Sequence, residues 1–381
     1  MKCDIVIPIW NQMRITRDCI DSIIRNTKYP YRLILIDNAS DEETRRYLES
    51  VRDNKALDVM LIRNDKNLGF VKAVNQALNI SRSSPYVCVF NNDTITTPGW
   101  LEEMVEFAES HKDVGIINPL CNAPADIPKD EYAAIVRKNN KGKYMEMNQC
   151  FLFCALIKRE VIEKIGHLDE IFGVGCYDDT DYSMRAGLAG YRCVCIHSAY
   201  VHHIHGVSFK AFGNHARIVK QCEKEFFKKW PRHLRVGVVF SLLNKDEDAA
   251  VANMLNAILY LSRQWCWINL WVFGDKESNK ARIESISKRI GMPLHQNIKF
   301  NFISDGYKNV HILIRLLERS FGTKKRKKYD AILAGDSKLV SLLKAFHVLH
   351  NTDIKLVDFR NDLIDRLEVT VDELRKKKKK G

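Results

Sequence analysis

The chain has no apolar run near the ~20 residues that span a bilayer. Its longest apolar stretches, such as Val236–Leu243, are strand-sized. A secretory h-region is missing too, since Met1-Lys2-Cys3-Asp4 leads straight into a strand. The 11 Cys show neither paired nor CxxC spacing, so a disulfide framework is not expected. Reduced thiols in a cytoplasmic protein are. Cys121, Cys150, Cys154, Cys193 and Cys195 sit in or beside apolar segments and read as packing residues. No internal repeat is seen, and no nucleic-acid motif accompanies the positive charge. What is present is an ordinary globular composition, 46% hydrophobic and 28% charged, long enough at 381 residues for two cores.

The net charge of +13 is unevenly spread, with 27 Lys and Arg against 17 Asp and Glu in residues 236–381. Two basic runs, Lys324–Lys328 and Lys376–Lys380, suit an anionic membrane surface, at about 1 kcal/mol per charge. A solvated loop and a frayed tail account for them equally well.

Strands and helices alternate from the start. Strands are expected at Asp4–Ile9, Arg32–Asp37, Val59–Arg63 and Tyr86–Phe90. Helices are expected at Ile15–Asn26, Asp41–Arg52 (Asp41 or Ser40 as N-cap) and Gly69–Ile80. That order builds a parallel sheet covered on both faces, with ligands at the carboxyl ends of its strands. Trp10-Asn11, Asp37-Asn38, Asp65 to Asn67 and Asn91 to Asp93 each follow a strand. Pro119, Pro124, Pro128 and the polar stretch Lys138–Lys143 make residues 118–148 read as an irregular loop or lid. Beyond it, Gln149–Ile157 reads as strand, Arg159–Ile165 and Asp178–Ala189 as helices, Tyr191–Ile196 as strand and Ala211–Lys229 as helix. A second alternation has strands at 236–242, 268–273, 298–303, 330–334 and 354–358. Its helices fall at 249–262, 278–290, 308–320 and 337–348. The expected division is 1–232, 233–375 and a basic tail, 376–381.

Three clusters carry chemistry. Asn91-Asn92-Asp93 ends a parallel strand, where carboxylate oxygens suit Mg or Mn bridging two phosphates; Asn-Asn-Asp-Thr before Pro98-Gly99 is also good turn chemistry. Asp178, Asp179 and Asp181 open a helix after Gly173-Val174-Gly175. They repel one another and need a cation, a helix N-terminus or a proton. A general base could be placed so, and so could a common acidic helical turn. In Val201-His202-His203-Ile204-His205, His203 and His205 share a face if the segment is extended, and either could ligate a metal. Each could equally be an ordinary surface or core histidine.

Together these stretches resemble the inverting family 2 glycosyltransferases, which have the GT-A fold. The likeness runs over residues 1–210, through Ile5-Val6-Ile7-Pro8-Ile9-Trp10-Asn11, Leu35-Ile36-Asp37-Asn38-Ala39-Ser40-Asp41, Asn67-Leu68-Gly69-Phe70 and Asn91-Asn92-Asp93-Thr94. It continues through Gly166-His167-Leu168-Asp169-Glu170, Tyr177-Asp178-Asp179-Thr180-Asp181 and the His-rich segment. The nearest flavour is rhamnosyltransferase-like.

The resemblance implies roles. Asp37 would contact the nucleobase, with Pro8, Trp10, Asn11, Asn67 and Asn92 around the nucleotide and Lys72 or Asn75 assisting. Asp93 and His203 would hold the divalent cation, His205 being the competing ligand. Asp179 would be the base, beside Asp178 and Asp181. The donor would be a UDP-, dTDP- or GDP-linked sugar and the acceptor a glycan or lipid-linked hydroxyl, in a cytoplasmic enzyme at the inner face of the cell membrane. Asn91 departs from the family's acidic residue and weakens any cation site. Residues 233–375 look loosely like half of a GT-B glycosyltransferase, serving for docking or left from a truncated second transferase. A nucleotidyltransferase would be expected to show a Gly-rich N-terminal loop, which Pro8-Ile9-Trp10-Asn11 is not. A catalytically weak sugar-binding scaffold draws on Asn91 alone.

Overall fold

The computed structural model describes residues 2–204, 215–241, 247–303, 312–314, 328–350, 352–359 and 364–380. Contacts divide the chain into two compact units, Met1–Trp230 and Pro231–Gly381.

In the first unit the expected alternation forms. Strands β1 (Cys3–Ile9), β2 (Tyr31–Asp37), β3 (Val59–Arg63) and β4 (Tyr86–Phe90) are separated by helices α1 (Met13–Asn26), α2 (Glu42–Arg52) and α3 (Phe70–Ile80). β1, β2 and β4 are apolar runs because both faces of their sheet are covered. Ile5, Ile7, Leu33, Leu35 and Cys88 have no exposed surface. Burying each Ile or Leu contributes ~1.5–3 kcal/mol. α1 adds Cys19, Ile20 and Ile23 to this core. Asp41 caps α2, its carboxylate accepting from the Thr44 N–H.

The unit continues with β5 (Thr94–Thr96), α4 (Trp100–Ser110), β6 (Val114–Leu120), α5 (Lys129–Asn140), β7 (Tyr144–Met147), β8 (Cys154–Lys158), α6 (Arg159–Ile165), α7 (Asp178–Leu188), β9 (Arg192–His203) and α8 (His215–Lys229). Within the unit the strand order is β7-β9-β6-β8-β4-β1-β2-β3, with β5 paired to β9. β3-β2-β1-β4 are parallel. β8 lies antiparallel between β4 and β6.

Four expectations need correction. Residues 118–148 are not an irregular lid, since α5 and β7 occupy much of the segment. α5 buries only Ala133 and Val136, so its apolar period is faint. Its ends carry Asp130 and Glu131 first, Arg137 and Lys138 last, which complements the helix dipole. Strand β8 starts at Cys154, leaving Gln149–Phe153 as loop. β9 runs to His203 because its last residues pair with β5. Finally, residues 376–378 are no frayed tail. They belong to a helix, Ile364–Lys380. Lys377 pairs with Asp353 at 2.7 Å and Lys378 with Asp330 at 2.7 Å.

The second unit is a five-stranded parallel sheet, ordered Ile298–Ile303, Cys266–Phe273, Leu234–Ser241, Ala331–Ala334, Asp353–Leu356. Helices Asp248–Arg263 and Lys276–Arg289 fall where expected, while the expected helix at 337–348 is split into Ser337–Ala345 and His347–His350. The helix expected at 308–320 lies largely outside the described residues. All 11 Cys are free, and Cys150, Cys154 and Cys193 are buried as packing residues.

Candidate active site

The carboxyl ends of β1 and β4 open onto a cavity of about 810 Å³. Pro8 and Trp10 reach it from β1's exit, Asn91, Asn92 and Asp93 from β4's, and Asn67 from the turn into α3. Asp178 and Asp179 reach it from the first turn of α7, and His203 from the end of β9. Residues 110 positions apart thus share one wall because β5 pairs with β9, Thr94 opposite His203. That register sets Asp93 beside the imidazole, Nε2 lying 3.2 Å from Oδ1. Both side chains are mostly buried, at 7% and 14% exposure. Phe153 stacks on the His203 ring at 5.0 Å.

A hard carboxylate oxygen beside an imidazole suits a divalent cation whose remaining ligands come from a diphosphate. Among the described residues no group of three His, Cys, Asp or Glu forms a complete protein cage. Among the described residues Asp93 and His203 would supply a half-site that the oxygens of a bound diphosphate would complete. Asn91 lines the same cavity. Its backbone N–H donates to Phe153 O at 2.8 Å, and its carbonyl accepts from the Thr94 hydroxyl at 2.7 Å.

Asp178 and Asp179 are adjacent and crowded. Asp178 accepts from the Cys176 N–H at 2.7 Å. Asp179 Oδ1 accepts from the Thr180 N–H at 2.6 Å and the Thr180 hydroxyl at 3.1 Å, while Oδ2 accepts from Gln149 Nε2 at 3.2 Å. Burial, then the neighbouring Asp179 charge, raises the Asp178 carboxyl from 3.8 to about 7. Burial raises Asp179 as well, against the Gln149 and Thr180 hydrogen bonds. The turn before them holds two non-glycine residues at positive φ, Cys176 at 131° and Tyr177 at 66°. Such strain collects at functional sites.

The Asp178 shift makes a stability prediction. A carboxyl whose folded value lies above its unfolded value binds its proton more tightly when folded. Its contribution is fully present below about pH 4 and is lost as pH rises through about 7. Asp178→Asn is expected to raise the Tm of the cation-free protein at pH 8 and to leave it near wild type at pH 4. Equal shifts at both pH values would contradict the buried-carboxyl assignment.

Gly69 is a second point of constraint. It stands before α3 at φ 82°, and an added Cβ would lie 3.0 Å from Gly173 O and 3.2 Å from Val174 Cα. Asn67 Oδ1 accepts its N–H at 2.9 Å. Gly69→Ala is expected to cost roughly 2–3 kcal/mol, read as a lower urea midpoint, from strain and backbone overlap together.

Several residues expected at the site are not on the cavity wall. Asp37 is 1% exposed, its carboxylate taken by Arg63 and by the Ser40 N–H at 2.8 Å. Its neighbour Asn38 lines the cavity instead. Asn38 donates to Gly69 O at 3.2 Å and accepts from Asn64 at 2.8 Å. Asn11 ties the chain together, accepting from the Asp41 N–H at 2.7 Å and donating its own N–H to Ser40 Oγ. Asn75 is buried and bonds both backbone groups of Leu168. Lys72 lies on the surface, 3.7 Å from Glu170. Asp181 is fully buried among Arg185 at 2.9 Å, Lys229 at 2.6 Å and Trp230 Nε1 at 2.8 Å, so it is a packing carboxylate. Asn92 lines the cavity, but its amide donates to the Thr16 hydroxyl at 3.0 Å. His205 lies outside the described residues.

The strand-exit residue Asn38 is on the wall, and so are Gln149, Phe151, Phe153 and Asn122, which the sequence pattern does not single out. Asn38 sits inside a quoted motif, so its position at a strand exit was a usable signal. The others lie in stretches read as lid or strand.

With this geometry established, comparison places the unit among known proteins. Residues 4–166 match the family model Glycosyl transferase family 2. Over this stretch the chain is similar to family 2 glycosyltransferases. Over 225 residues the chain is 24% identical to the O-antigen biosynthesis protein RfbC of Myxococcus xanthus, covering 53% of this chain and 17% of that protein. It is 22% identical over 245 residues to a PGL/p-HBAD biosynthesis glycosyltransferase of Mycobacterium bovis, covering 61% of this chain and 86% of that one. The first relative is thus a far longer protein, of which this chain matches about one-sixth. Among solved structures, a mannosyltransferase from Pyrobaculum calidifontis in complex with GDP-Man and Mn2+ is similar, with 18% identity and a TM-score of 0.46 over 59% of this chain and 64% of that one. The first unit has the α/β architecture with a largely parallel sheet that the resemblance led us to expect, and a second, smaller α/β unit follows it in the sequence.

Proposed function

We propose that the first unit transfers a sugar, with inversion, from a nucleoside-diphosphate donor to a hydroxyl of a glycan or lipid-linked acceptor. The observation that carries this reading is the single cavity lined by Asp93 and His203 together with Asp178 and Asp179. Pro8, Trp10, Asn38 and Asn67 line the same cavity and are assigned to the nucleotide. Asp93 and His203 are assigned to Mn or Mg, which when bound would neutralise charge building on the diphosphate.

The chain's own residues do the rest. Asp179 Oδ1 already accepts two hydrogen bonds, whereas Oδ2 accepts one, from Gln149. Oδ2 therefore takes the acceptor's hydroxyl proton. The acceptor oxygen bonds to C1 of the sugar as the C1–phosphate oxygen bond breaks, and that electron pair leaves with the nucleoside diphosphate. Holding the acceptor beside C1 and a base beside the acceptor supplies most of the rate. Work on surface polysaccharide is in keeping with similarity to an O-antigen biosynthesis protein, and a place at the inner face of the cell membrane is part of the proposal.

A panel of UDP-, dTDP- and GDP-sugars, with and without Mn2+, tests it. Nucleoside diphosphate release from one donor class, dependent on Mn2+, is expected. Pyrophosphate release from a nucleoside triphosphate and a sugar 1-phosphate, with no diphosphate release from any donor, would contradict the reading in favour of a nucleotidyltransferase.

A further inference from the structure

The loop Gln149–Phe153 joins parts of the site that the chemistry above keeps separate. Gln149 holds Asp179 and Phe153 stacks on His203. Phe151 lies between them in sequence, lines the cavity, and is 45% exposed. Among the described apolar residues of the cavity wall it is the exposed one; Asn122, also on the wall, is exposed beside buried and half-buried neighbours. A single exposed phenylalanine is unremarkable on an ordinary surface. Here its backbone is fixed on both sides by one buried amide. Asn118 Oδ1 accepts the Phe151 N–H at 2.7 Å, while Asn118 Nδ2 donates to Phe151 O at 2.8 Å and to Cys154 O at 2.6 Å. Asn118 itself is 2% exposed. The Cys150 N–H is held as well, by Ser183 Oγ at 2.9 Å, from the same helix that carries Asp179. The fold thus spends four hydrogen bonds on holding a solvent-facing aromatic ring at a set place on the wall of the cavity that Asp179 also lines.

We propose that Phe151 is the acceptor platform, stacking against the apolar C–H face of a saccharide ring whose hydroxyl reaches Asp179. This rests on the glycosyltransferase reading and narrows its acceptor to a sugar. A pyranose has one face of C–H groups and an edge of hydroxyls. The negative face of an aromatic ring attracts the first, and planar amides such as Asn122 and Gln149 match the second. A bare lipid alcohol has no such edge. Because the backbone is already fixed, little ordering entropy is lost on binding.

The test uses the full chain, Mn2+, the active donor, and octyl glycosides (glucoside, galactoside, mannoside, rhamnoside) against octan-1-ol. Donor hydrolysis without acceptor reads the donor site and base alone. At least one glycoside is expected to accept sugar, and octan-1-ol is not. Phe151→Leu keeps apolar bulk without a ring face and is expected to raise the glycoside KM tenfold or more, with kcat and donor hydrolysis near wild type. Phe151→Tyr is expected to restore KM to within about twofold. An unchanged KM in Phe151→Leu, equal use of octan-1-ol, or hydrolysis with no transfer to any glycoside would overturn the platform while leaving the transferase reading in place. No nucleotide release under any condition would overturn both.

Discussion

Asp179→Asn is expected to lower sugar transfer by roughly 10³-fold while donor affinity stays within about twofold. The amide keeps the shape of the carboxylate and can still accept from Thr180, so the first turn of α7 has no reason to rearrange. What it loses is the capacity to take a proton on the oxygen beside Gln149. Nucleotide titration by calorimetry alongside rate measurement separates the two effects. A fall in donor affinity that matches the fall in rate would mean that Asp179 holds the donor and is not the base. Asp181→Asn is the contrast. Asp181 sits two residues away but is enclosed by Arg185, Lys229 and Trp230. Breaking a buried charge cluster costs ~3–5 kcal/mol, so this variant is expected to lose stability first.

Asp93→Ala is expected to remove the Mn2+ dependence of nucleoside diphosphate binding and to lower transfer by on the order of 10²-fold or more. Asp93 is the one carboxylate at β4's exit, and Asn91 brings no charge to replace it. His203 would remain, but a lone imidazole is a weak ligand for Mg or Mn. Calorimetric titration of the nucleotide with and without Mn2+ reads the effect directly. Equal Mn2+ enhancement in the variant and the wild type would move the cation to other ligands.

The alternation of strands and helices was legible because strands buried on both faces must be apolar throughout. Ile5 to Ile9 and Leu33 to Ile36 leave no other reading. Asp93, Asp178, Asp179 and His203 stood out as candidates because charged and ligating residues at strand exits and helix starts are conspicuous in one dimension, and all four line one cavity. Contacts were not. Nothing in the sequence says that Arg63 occupies Asp37, that Leu168 occupies Asn75, or that Trp230 reaches Asp181. Each partner lies 26 to 93 residues away. Gln149 was hidden for the same reason, its role resting on a helix 30 residues further on. α5 was hidden because it buries only two side chains, so the prolines before it outweighed its weak period.

A crystal structure of the full chain with Mn2+ and the nucleoside diphosphate that binds best would test the central claim most directly. The account predicts the diphosphate inside the cavity of about 810 Å³, its oxygens and those of Asp93 on the metal, with Asp179 facing the vacated sugar position. A nucleotide bound in the second unit, or in the first unit away from both Asp93 and Asp179, would contradict it.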